Sequence, residues 1–415
     1  MFRVIEAFSG IGSQAKALKN IGMEFEIVAT VDWDINAIIA YDIIHNGAPQ
    51  LDRYKLIPKE VLVESLSKYT LSTDGKKPLG QNGLKRMDKL TLEYLMAAIE
   101  RSRNWVSITD VKGTDIPDDI DLFTYSFPCQ DLSIAGAWHG NNSGITRGIN
   151  NRSGMLWEVE RILMERRKIQ RQMPKFLLME NVSNILCDTH KKNFQEWKNN
   201  LSLMGYHNKV YKLNAINFGI PQKRERVYML SILCNDQEKK KIEEYLSAND
   251  LECEMLANNI AIRKTNLKDI LRIDYSNPIY KKEADESQPN DTDSRRKIHE
   301  ENDILYDGNK IITDRVKTIT TKQDRNPNSG VIEYEPQGYG KSNFRYLTPR
   351  ECFMLMGFDE DDYQALIDNN FKINRNTNFF VSSKLYKMAG NSIVVNVLES
   401  IFKQVQYINT YILED

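Results

Sequence analysis

The sequence predicts an α/β fold in which a doubly wound, mostly parallel sheet is joined to a second, smaller domain. Three observations support this prediction. A glycine-rich turn follows the first apolar run, an acid ends the second, and two later runs end in a cysteine and a glutamate. In open α/β sheets the functional side chains gather at the carboxyl ends of the strands. The length of 415 residues is sufficient for two domains.

The first predicted strand covers residues 2–8 and leads into the turn Ser9-Gly10-Ile11-Gly12. Glycines are needed in such a turn because a Cβ would block the approach of a ligand to the backbone. A helix over residues 13–21 follows the turn. The pattern GxGxxA between strand and helix is typical of a nucleotide-binding turn.

An acid ends the second predicted strand, residues 26–31. Asp32 stands 22 residues after Gly10 (32 − 10), a separation at which an acid accepts hydrogen bonds from ribose hydroxyls. Trp33 beside it either flanks an adenine ring or belongs to the core. The two elements predict an adenosine-containing ligand more firmly than they predict a nicotinamide cofactor.

The connection to the next strands contains two helical segments and a polar, lysine-rich loop at residues 73–89, which reads as a surface insertion. Residues 107–111 then read as the edge of a third strand. Asp110 within them is, taken alone, a turn aspartate rather than a ligand.

The run of residues 120–125 has the apolar and β-branched character of a buried strand, and Pro128 stops it. Cys129 follows immediately, ahead of a glycine-rich segment at 136–154 that is expected to be a mobile loop. This stretch alone does not distinguish a buried structural thiol from a nucleophile.

A second apolar run, residues 176–179, is typical of a central parallel strand. It ends in Glu180, which places a carboxylate at the same edge of the sheet as the cysteine. Arg224 and Arg226 then enter a strand over 227–233. Arginines at i and i+2 of a strand point the same way and can hold a base edge and a phosphate.

The amino-acid composition changes over residues 235–343, which are polar and lysine-rich. Residues 283–293 within this range are expected to be disordered. The whole range reads as a separate domain that could read DNA. A helix is predicted after Thr348, which caps it, with Pro349 at its first position.

Composition excludes several classes of protein. Five cysteines without a CxxC pair and five histidines without an i,i+4 pair predict a reducing cytoplasm, no structural zinc and no catalytic metal. There is no signal-peptide pattern and no apolar run long enough for a bilayer. Because the net charge is −1, any contact with DNA needs locally concentrated positive charge.

Taken together, the motifs resemble those of the cytosine-C5 DNA methyltransferase family, of the bacterial restriction-modification type. Nine blocks appear in the order of the family: FSGIG, VDW, TDV, FPCQDLS, RSGMLW, ENV, QKRER, RYLTPRECFMLMGF and AGNSI. They span Phe8 to Ile393, and only residues 235–343 lack strong matches. Asp32 departs from the usual glutamate of the family, which keeps the charge and shortens the reach to a ribose.

The resemblance implies a Rossmann-like S-adenosylmethionine-dependent methyltransferase sheet with a smaller DNA target-recognition domain. It implies four segments: a catalytic and cofactor-binding domain at 1–233, a target-recognition domain at 234–343, a hinge at 344–387 and a return to the catalytic domain at 388–415.

The resemblance also implies a mechanism. Cys129 attacks C6 of a flipped-out cytosine, Glu180 contacts N3 and the exocyclic amine, and Arg226 contacts O2. Arg224 would be a phosphate or loop-orienting partner. S-adenosylmethionine supplies the methyl group and leaves as S-adenosylhomocysteine, without a metal.

Further contacts are implied by the resemblance. The cofactor would touch Phe8, Gly10, Ile11, Gly12, Asp32, Trp33, Asp110, Val111, Pro128, Asn391 and Ser392. Double-stranded DNA would touch Gln130, Ser133, Trp138, Arg152, Thr318, Thr320, Lys322, Gln323 and Arg325. The expected setting is a monomer in the bacterial cytoplasm, with no membrane contact and a companion restriction endonuclease acting on the same site.

Three alternatives stay open at this point. The GxGxxA turn with Asp32 also fits a nicotinamide-dependent dehydrogenase. A transfer-RNA cytosine-C5 methyltransferase can be built on the same scaffold, and a DNA-binding protein without catalysis can retain the same blocks.

Overall fold

The computed structural model describes residues 1–128, 153–261 and 263–413. The strands of these residues, in chain order, are β1 (Phe2–Ala7), β2 (Phe25–Val31), β3 (Leu122–Tyr125), β4 (Phe176–Val182), β5 (Tyr206–Asn214), β6 (Gln222–Lys223), β7 (Glu225–Leu233), β8 (Ile304–Tyr306), β9 (Val316–Lys317), β10 (Val331–Glu333), β11 (Phe344–Arg345), β12 (Lys372–Asn374) and β13 (Thr377–Asn378).

The α-helices of the same residues are α1 (Ser13–Asn20), α2 (Ile35–Asn46), α3 (Asp52–Lys55), α4 (Lys59–Leu66), α5 (Gln81–Arg86), α6 (Lys89–Arg101), α7 (Leu156–Lys168), α8 (Asp188–Leu203), α9 (Asp236–Ala248), α10 (Glu254–Ile260), α11 (Leu267–Ile270), α12 (Pro278–Glu286), α13 (Asp293–Glu301), α14 (Pro349–Leu355), α15 (Glu360–Asp368), α16 (Ser382–Asn391) and α17 (Val395–Tyr411). Within the described residues, no helix combines the length and the apolar character that crossing a bilayer requires.

The chain forms two compact units. Unit 1 comprises Met1–Leu213, Glu225–Ala257 and Glu399–Asp415, and unit 2 comprises Asn214–Arg224 and Asn258–Leu398. This division differs from the predicted segments, because 234–257 belong to unit 1 and 344–398 belong to unit 2. The assignment of a target-recognition domain, a hinge and a return segment stays a prediction.

Unit 1 is built around a six-stranded sheet with the order β2-β1-β3-β4-β7-β5. Strands β2, β1, β3 and β4 are parallel to one another, whereas β7 runs antiparallel to β4. The order reverses at β1, with β2 on one side and β3 on the other, so right-handed crossovers place their connections on opposite faces. The predicted doubly wound α/β sheet is therefore confirmed, and its switch point lies between β1 and β3.

The central strands form where the apolar runs predicted them, because both of their faces are covered. All four residues of β3 are buried, and β4 is buried from Phe176 to Asn181. Helix α8 covers this region with Trp197, whose Nε1 donates to the Tyr125 hydroxyl at 3.1 Å. The last helix, α17, belongs to unit 1 from Glu399 onward, and there Gln404 accepts from the Tyr211 hydroxyl at 2.8 Å.

The strand edge predicted at residues 107–111 is wrong. The structure has turns there, and the pairing with β2 near this segment is an isolated bridge between Asn104 and Thr30. Val106 has a φ of 65°, which takes the backbone out of the extended conformation. The Ser107 hydroxyl then hydrogen-bonds the Thr109 hydroxyl at 2.7 Å, a local interaction that competes with strand pairing.

Unit 2 contains a three-stranded sheet ordered β11-β10-β8, a parallel pair of β6 with β9 and a short β12–β13 pair. The disorder expected at 283–293 is wrong, because α12 continues to Glu286 and the following residues are held by backbone groups. The buried Gln288 amide donates to the Ser342 and Glu335 carbonyls at 2.7 and 3.0 Å. The buried amide of this polar segment thus finds its hydrogen-bond partners within the unit.

The helix predicted after Thr348 is confirmed as α14. Thr348 accepts from the Glu351 backbone N–H while Glu351 accepts from the Thr348 N–H, which is a capping box, and Pro349 occupies the first position. Glu351 also forms a fully buried ion pair with Arg345, at 2.9 Å. The carboxylate thereby joins the start of α14 to β11.

Candidate active site

The glycine turn after β1 adopts backbone conformations that few residues tolerate. Phe8, Gly10 and Gly12 have φ values of 57°, 55° and 79°. A Cβ added to Gly12 would lie 2.1 Å from Nε2 of His45, on α2, so no larger residue fits there. The turn combines left-handed conformations with a close approach of a neighbouring side chain, and both require glycine at position 12.

His45 holds this turn through a hydrogen bond to its backbone. Its Nε2 lies 3.0 Å from the Ile11 carbonyl oxygen. Burial lowers the pKa of His45 to about 4, so the ring is neutral near pH 7 and donates to Ile11 with the proton on Nε2. The His45 ring contacts the Tyr41 ring at a centroid distance of 4.5 Å. Tyr41 in turn lies beside the buried Glu6, and burial raises the pKa of Glu6 to about 7.

Asp32 holds the same turn from the end of β2. Its Oδ2 accepts from the Gly10 backbone N–H at 2.8 Å, and its Oδ1 accepts from the Asp34 N–H at 2.9 Å. Hydrogen bonds from backbone N–H groups to a carboxylate are charge-assisted and stronger than neutral ones. Asp32 therefore sets the shape of the turn, a role that the sequence did not predict. Its predicted contact with a ribose stays a prediction.

The other predicted cofactor residues of unit 1 occupy varied surroundings. Trp33 is half-buried at the end of β2, and Pro128 is half-buried after β3. Asp110 is exposed in a turn, as expected from the sequence, and accepts from the Thr70 hydroxyl at 3.1 Å. Val111 is buried, and its carbonyl accepts from Nη2 of Arg161 at 2.7 Å. Their contacts with a cofactor stay predictions.

A cluster of polar side chains forms where β3 and β4 end and β7 begins. The Ser126 hydroxyl donates to Oε2 of Glu180 at 2.6 Å, and Nε of Arg226 lies 3.4 Å from Oε1. The antiparallel register pairs Val182 with Arg226, so the start of β7 lies at the carboxyl end of β4. The predicted pair Glu180 and Arg226 thus meets at one edge of the sheet. Both carboxylate oxygens of the nearly buried Glu180 are held in a fixed orientation.

Asn181 fixes the neighbouring segment. Its Nδ2 donates to the Phe127 carbonyl at 3.0 Å, and its Oδ1 accepts from the Val182 N–H at 2.9 Å. The buried amide therefore positions the segment that leads toward Cys129. Five predicted site residues lie outside the described residues: Cys129, Gln130, Ser133, Trp138 and Arg152.

Arg224 forms a separate, buried anchor in unit 2. Its guanidinium donates to the carbonyls of Ile319, Gly390 and Ser392 at 2.9, 3.0 and 2.9 Å. A Cβ on Gly390 would lie 2.4 Å from the Thr320 carbonyl carbon, so the two backbones touch. Of the two roles predicted for Arg224, this geometry favours loop orientation over phosphate binding.

Gln222 completes this anchor. Its Oε1 accepts from the Ile319 N–H at 3.0 Å, and its Nε2 donates to the Leu355 carbonyl at 2.8 Å. The Thr318 hydroxyl donates to the Lys223 carbonyl at 2.7 Å. The segment Thr318–Thr320 is thereby clamped against the strand pair of β6 and β9.

The remaining residues predicted to bind DNA or cofactor in unit 2 differ in exposure. Lys322 and Arg325 are exposed, Thr320 is half-buried, and Asn391 is exposed. Ser392 is buried, with its hydroxyl donating to the Met388 carbonyl at 2.8 Å. Gln323 is fully buried and donates to the Ser329 hydroxyl. This burial argues against the predicted contact of Gln323 with DNA.

Sequence reasoning missed the roles of Ser126, Asn181, His45 and Gln222. A local signal existed for the first two, since each is a polar residue at the end of an apolar run beside a motif residue. His45 and Gln222 gave no local signal, because their partners are 34 and 97 residues away in the chain.

Comparisons with known proteins bear on this geometry. A family profile described as C-5 cytosine-specific DNA methylase matches residues 86–407. The orphan methyltransferase M.SssI of Spiroplasma monobiae is 34% identical over 413 residues, covering 97% of this chain and 97% of that protein. The type II methyltransferase M2.ScrFI of Lactococcus lactis subsp. cremoris is 31% identical over 413 residues, covering 97% and 99%.

Solved structures of two methyltransferases resemble the fold of this chain. The Dnmt2 methyltransferase of S. pombe has a TM-score of 0.58 at 17% identity, covering 99% of this chain and 100% of that one. The Entamoeba histolytica methyltransferase EhMeth has a TM-score of 0.53 at 16% identity, covering 98% of each chain. At these identities the likeness concerns the fold alone, and it confirms the predicted Rossmann-like methyltransferase sheet.

Proposed function

Because the chain belongs to the C-5 cytosine-specific DNA methylase family, we propose that it methylates C5 of a cytosine flipped out of a short, specific duplex DNA sequence. Family membership makes the chain a DNA (cytosine-5-)-methyltransferase, which removes the dehydrogenase and non-catalytic alternatives. The family description names DNA, which disfavours the transfer-RNA alternative. We further propose a covalent bond between Cys129 and C6 as the route.

The glycine turn after β1 is the proposed site for S-adenosylmethionine. The support is a turn with glycines in left-handed conformations, a carboxylate at the end of β2 and the half-buried Trp33 beside it, a set that suits an adenosine. When bound, S-adenosylmethionine supplies an electrophilic methyl group. Asp32 and His45 hold the turn in the conformation that would bind the cofactor, and the contacts of Asn391 and Ser392 with the cofactor stay predictions.

Cytosine C5 is a weak nucleophile, so its methylation needs temporary addition across the C5–C6 bond. We propose that Sγ of Cys129 bonds to C6 as the thiol loses its proton, which moves electron density to C5. After C5 has gained the methyl group, loss of the C5 proton and departure of the thiolate restore the aromatic ring. The base has to leave the stacked duplex first, which costs a few kcal/mol.

The observation that carries the proposal is the cluster of Glu180 with Ser126 and Arg226. A carboxyl group held on both oxygens has a fixed direction, which suits accepting from the exocyclic amine of the flipped base and sharing a proton with its N3. Arg226 is proposed to contact O2 of the same base. The Phe127 carbonyl, which accepts from Asn181, retains a second lone pair that can accept from the exocyclic amine.

The nucleophile is tested with Cys129→Ser and, as a matched control, Cys187→Ser, since Cys187 is a half-buried free cysteine of the same unit. Transfer of a tritiated methyl group to duplex DNA should vanish in Cys129→Ser while DNA binding persists, and Cys187→Ser should remain active. Turnover like that of the wild type in Cys129→Ser would overturn the proposal. Glu180→Gln should lose most of its single-turnover rate and keep its affinity for S-adenosylmethionine.

The recognition sequence and the biological setting need a separate measurement. Bisulfite sequencing of DNA from cells that express the protein identifies the modified cytosines. The related proteins named above include an orphan and a type II methyltransferase, so the restriction-modification role and the companion endonuclease stay predictions.

A further inference from the structure

A cationic surface lies in the insertion between α4 and α6. It consists of Lys76, Lys77, Lys85 and Arg86, which are all exposed. Residues 73–89 contain five basic and two acidic side chains, a net charge of +3 (5 − 2), in a chain whose net charge is −1. Positive charge is therefore concentrated locally, as contact with DNA requires.

The four side chains of this surface take no part in the ion pairs of the described residues. Lysines on the helices that flank this region do form such pairs: Lys55 of α3 with Asp52, and Lys89 of α6 with Glu93. Asp74, the acid nearest to the first two lysines, accepts instead from the backbone N–H groups of Lys76 and Lys77, at 2.7 and 3.1 Å. The charge of the four cations is thus left for a partner.

The insertion is attached to the carboxyl end of β2. The Ser72 N–H donates to the Trp33 carbonyl at 2.8 Å, and the Ile35 N–H donates to the Ser72 carbonyl at 2.9 Å. The Asn36 amide also donates to the Thr73 carbonyl at 3.0 Å. Because the carboxyl ends of parallel strands meet at one edge, the surface begins at the edge that carries the glycine turn and Glu180.

A backbone hydrogen bond and apolar contacts hold the two halves of the surface together. The Leu79 N–H donates to the Leu71 carbonyl, and Leu79 packs on Gly83, where an added Cβ would lie 2.2 Å from Leu79 Cδ1. Leu84 is buried on the same short helix. Lys76 and Lys77 therefore precede, and Lys85 and Arg86 follow, a segment that is anchored to unit 1.

We propose that this surface binds the phosphate backbone of duplex DNA outside the recognised sequence. The proposal rests on the proposed function, which brings DNA to the carboxyl edge of the sheet. Lysines act as point charges on flexible stems, which suits contacts with phosphates that carry no sequence information. Lys85 and Arg86 also complement the end of α5. That role does not account for Lys76 and Lys77, which precede the helix.

The test compares two variants with the same charge change. The first replaces Lys76, Lys77, Lys85 and Arg86 by alanine. The control replaces four other exposed cations, namely Arg167, Lys168, Lys240 and Lys241. The control residues lie toward the opposite edge, because α7 precedes the start of β4 and α9 follows the end of the antiparallel β7. Both variants carry three lysines and one arginine fewer than the wild type.

Binding is measured against salt concentration on a long duplex with one site and on a short duplex that holds little more than the site. Log K for DNA binding falls as the logarithm of the salt concentration rises, and each lost phosphate contact reduces the steepness of this fall by about 0.9. The first variant should therefore show a fall that is less steep by roughly 2 to 4, and it should bind the long duplex about 10- to 100-fold more weakly at low salt. Its affinity for the short duplex, its KM for S-adenosylmethionine and its kcat at saturating DNA should match the wild type.

Two outcomes would overturn the proposal that this surface binds DNA. One is a salt slope like that of the wild type in the first variant, which would make the cations a solvated face. The other is an equal loss in the control, which would make the effect one of total charge. Failure of the proposed function looks different, since the wild type would then transfer no methyl group to either duplex.

Discussion

The glycine turn of unit 1 and the segment Thr318–Thr320 of unit 2 are both fixed by side chains, but the charged side chains that hold them have opposite hydrogen-bonding polarity. In the turn, the Asp32 carboxylate accepts a backbone N–H from Gly10. In the segment, the Arg224 guanidinium donates to backbone carbonyls, including that of Ile319. An acid at the rim of a turn shapes a surface that a ligand can still reach, whereas a buried cation joins backbone segments internally.

The difference predicts which property each region controls. Asp32 and Trp33 are half-buried, so changes near the turn should alter ligand affinity while the fold persists. Arg224 is buried and joins residues that are distant in the chain, so its loss should alter the stability of unit 2 first. Four substitutions test this contrast.

The largest effect is expected from Arg224→Met, which removes the donors to three carbonyls. Each buried polar group left without a partner costs about 1–3 kcal/mol, so the free energy of unfolding should fall by roughly 3–5 kcal/mol. Urea denaturation measures this loss, with the exposed neighbour Lys223→Met as the control. Binding of S-adenosylmethionine should survive in the folded fraction. A loss below about 1 kcal/mol would remove the contrast between the two regions.

Gly12→Ala should reduce the affinity for S-adenosylmethionine by about 10- to 100-fold, which corresponds to roughly 1.4–2.8 kcal/mol. The new Cβ is strained at a φ of 79° and collides with His45. Titration calorimetry measures the affinity. Gly22→Ala is the matched control, since Gly22 has a φ of 69° and open space around the position of a Cβ. An equal loss in both variants would assign the effect to backbone strain instead of the turn.

Asp32→Asn should weaken the binding of S-adenosylmethionine by about 3- to 10-fold, because the amide keeps a single acceptor oxygen. Of the two charge-assisted hydrogen bonds from backbone N–H groups, one becomes a neutral bond and the other is lost. The same calorimetry applies. Asp34→Asn makes the equivalent change two residues later, where asparagine caps α2 as well as aspartate does. Unchanged affinity in Asp32→Asn would show that shape, and not charge, holds the turn.

The smallest effect is expected from His45→Gln, which retains a donor for the Ile11 carbonyl and removes a titrating group. The pKa of His45 is lowered from 6.5 to about 4, so the unfolded chain binds the additional proton between these values. The contribution of His45 to stability is therefore present above pH 6.5 and lost as the pH falls through about 4. His45→Gln should flatten this acid limb of a plot of unfolding free energy against pH.

Glu6 contributes with the opposite sign. Its pKa is raised from 4.5 to about 7 in the fold, so its contribution is present below pH 4.5 and lost as the pH rises through about 7. In His45→Gln the free energy of unfolding should still decline as the pH rises from 4.5 to about 7, because of Glu6. Adding Glu6→Gln to this variant should remove the decline. An acid limb that persists in His45→Gln would place the titration elsewhere.

Local patterns predicted the elements that position the site. The runs before Cys129 and Glu180 became β3 and β4, and the turn Ser9–Gly12 formed where its glycines indicated, because each depends on neighbouring residues. The two failures have different causes. Val106 leaves the extended conformation with a φ of 65°, which its residue type does not indicate, whereas the Gln288 amide donates to the Glu335 and Ser342 carbonyls, 47 and 54 residues away. Nothing near Gln288 in the sequence encodes partners at such a distance.

The placement of α17 has a consequence for the biosynthesis of the protein. Unit 1 takes Met1–Leu213 and Glu225–Ala257 and then needs Glu399 and Gln404, which receive hydrogen bonds from Asn20 and Tyr211. At a translation rate of about 5–20 residues per second, roughly nine to thirty-six seconds separate the synthesis of Leu233, where the last strand of the sheet ends, from that of the end of α17. During this interval the sheet has emerged from the ribosome without its last helix, and buried side chains such as Phe402 have not yet been made. Until α17 is made, the apolar side chains that it covers in the folded unit stay exposed, and exposed apolar surface is what makes nascent chains prone to aggregation.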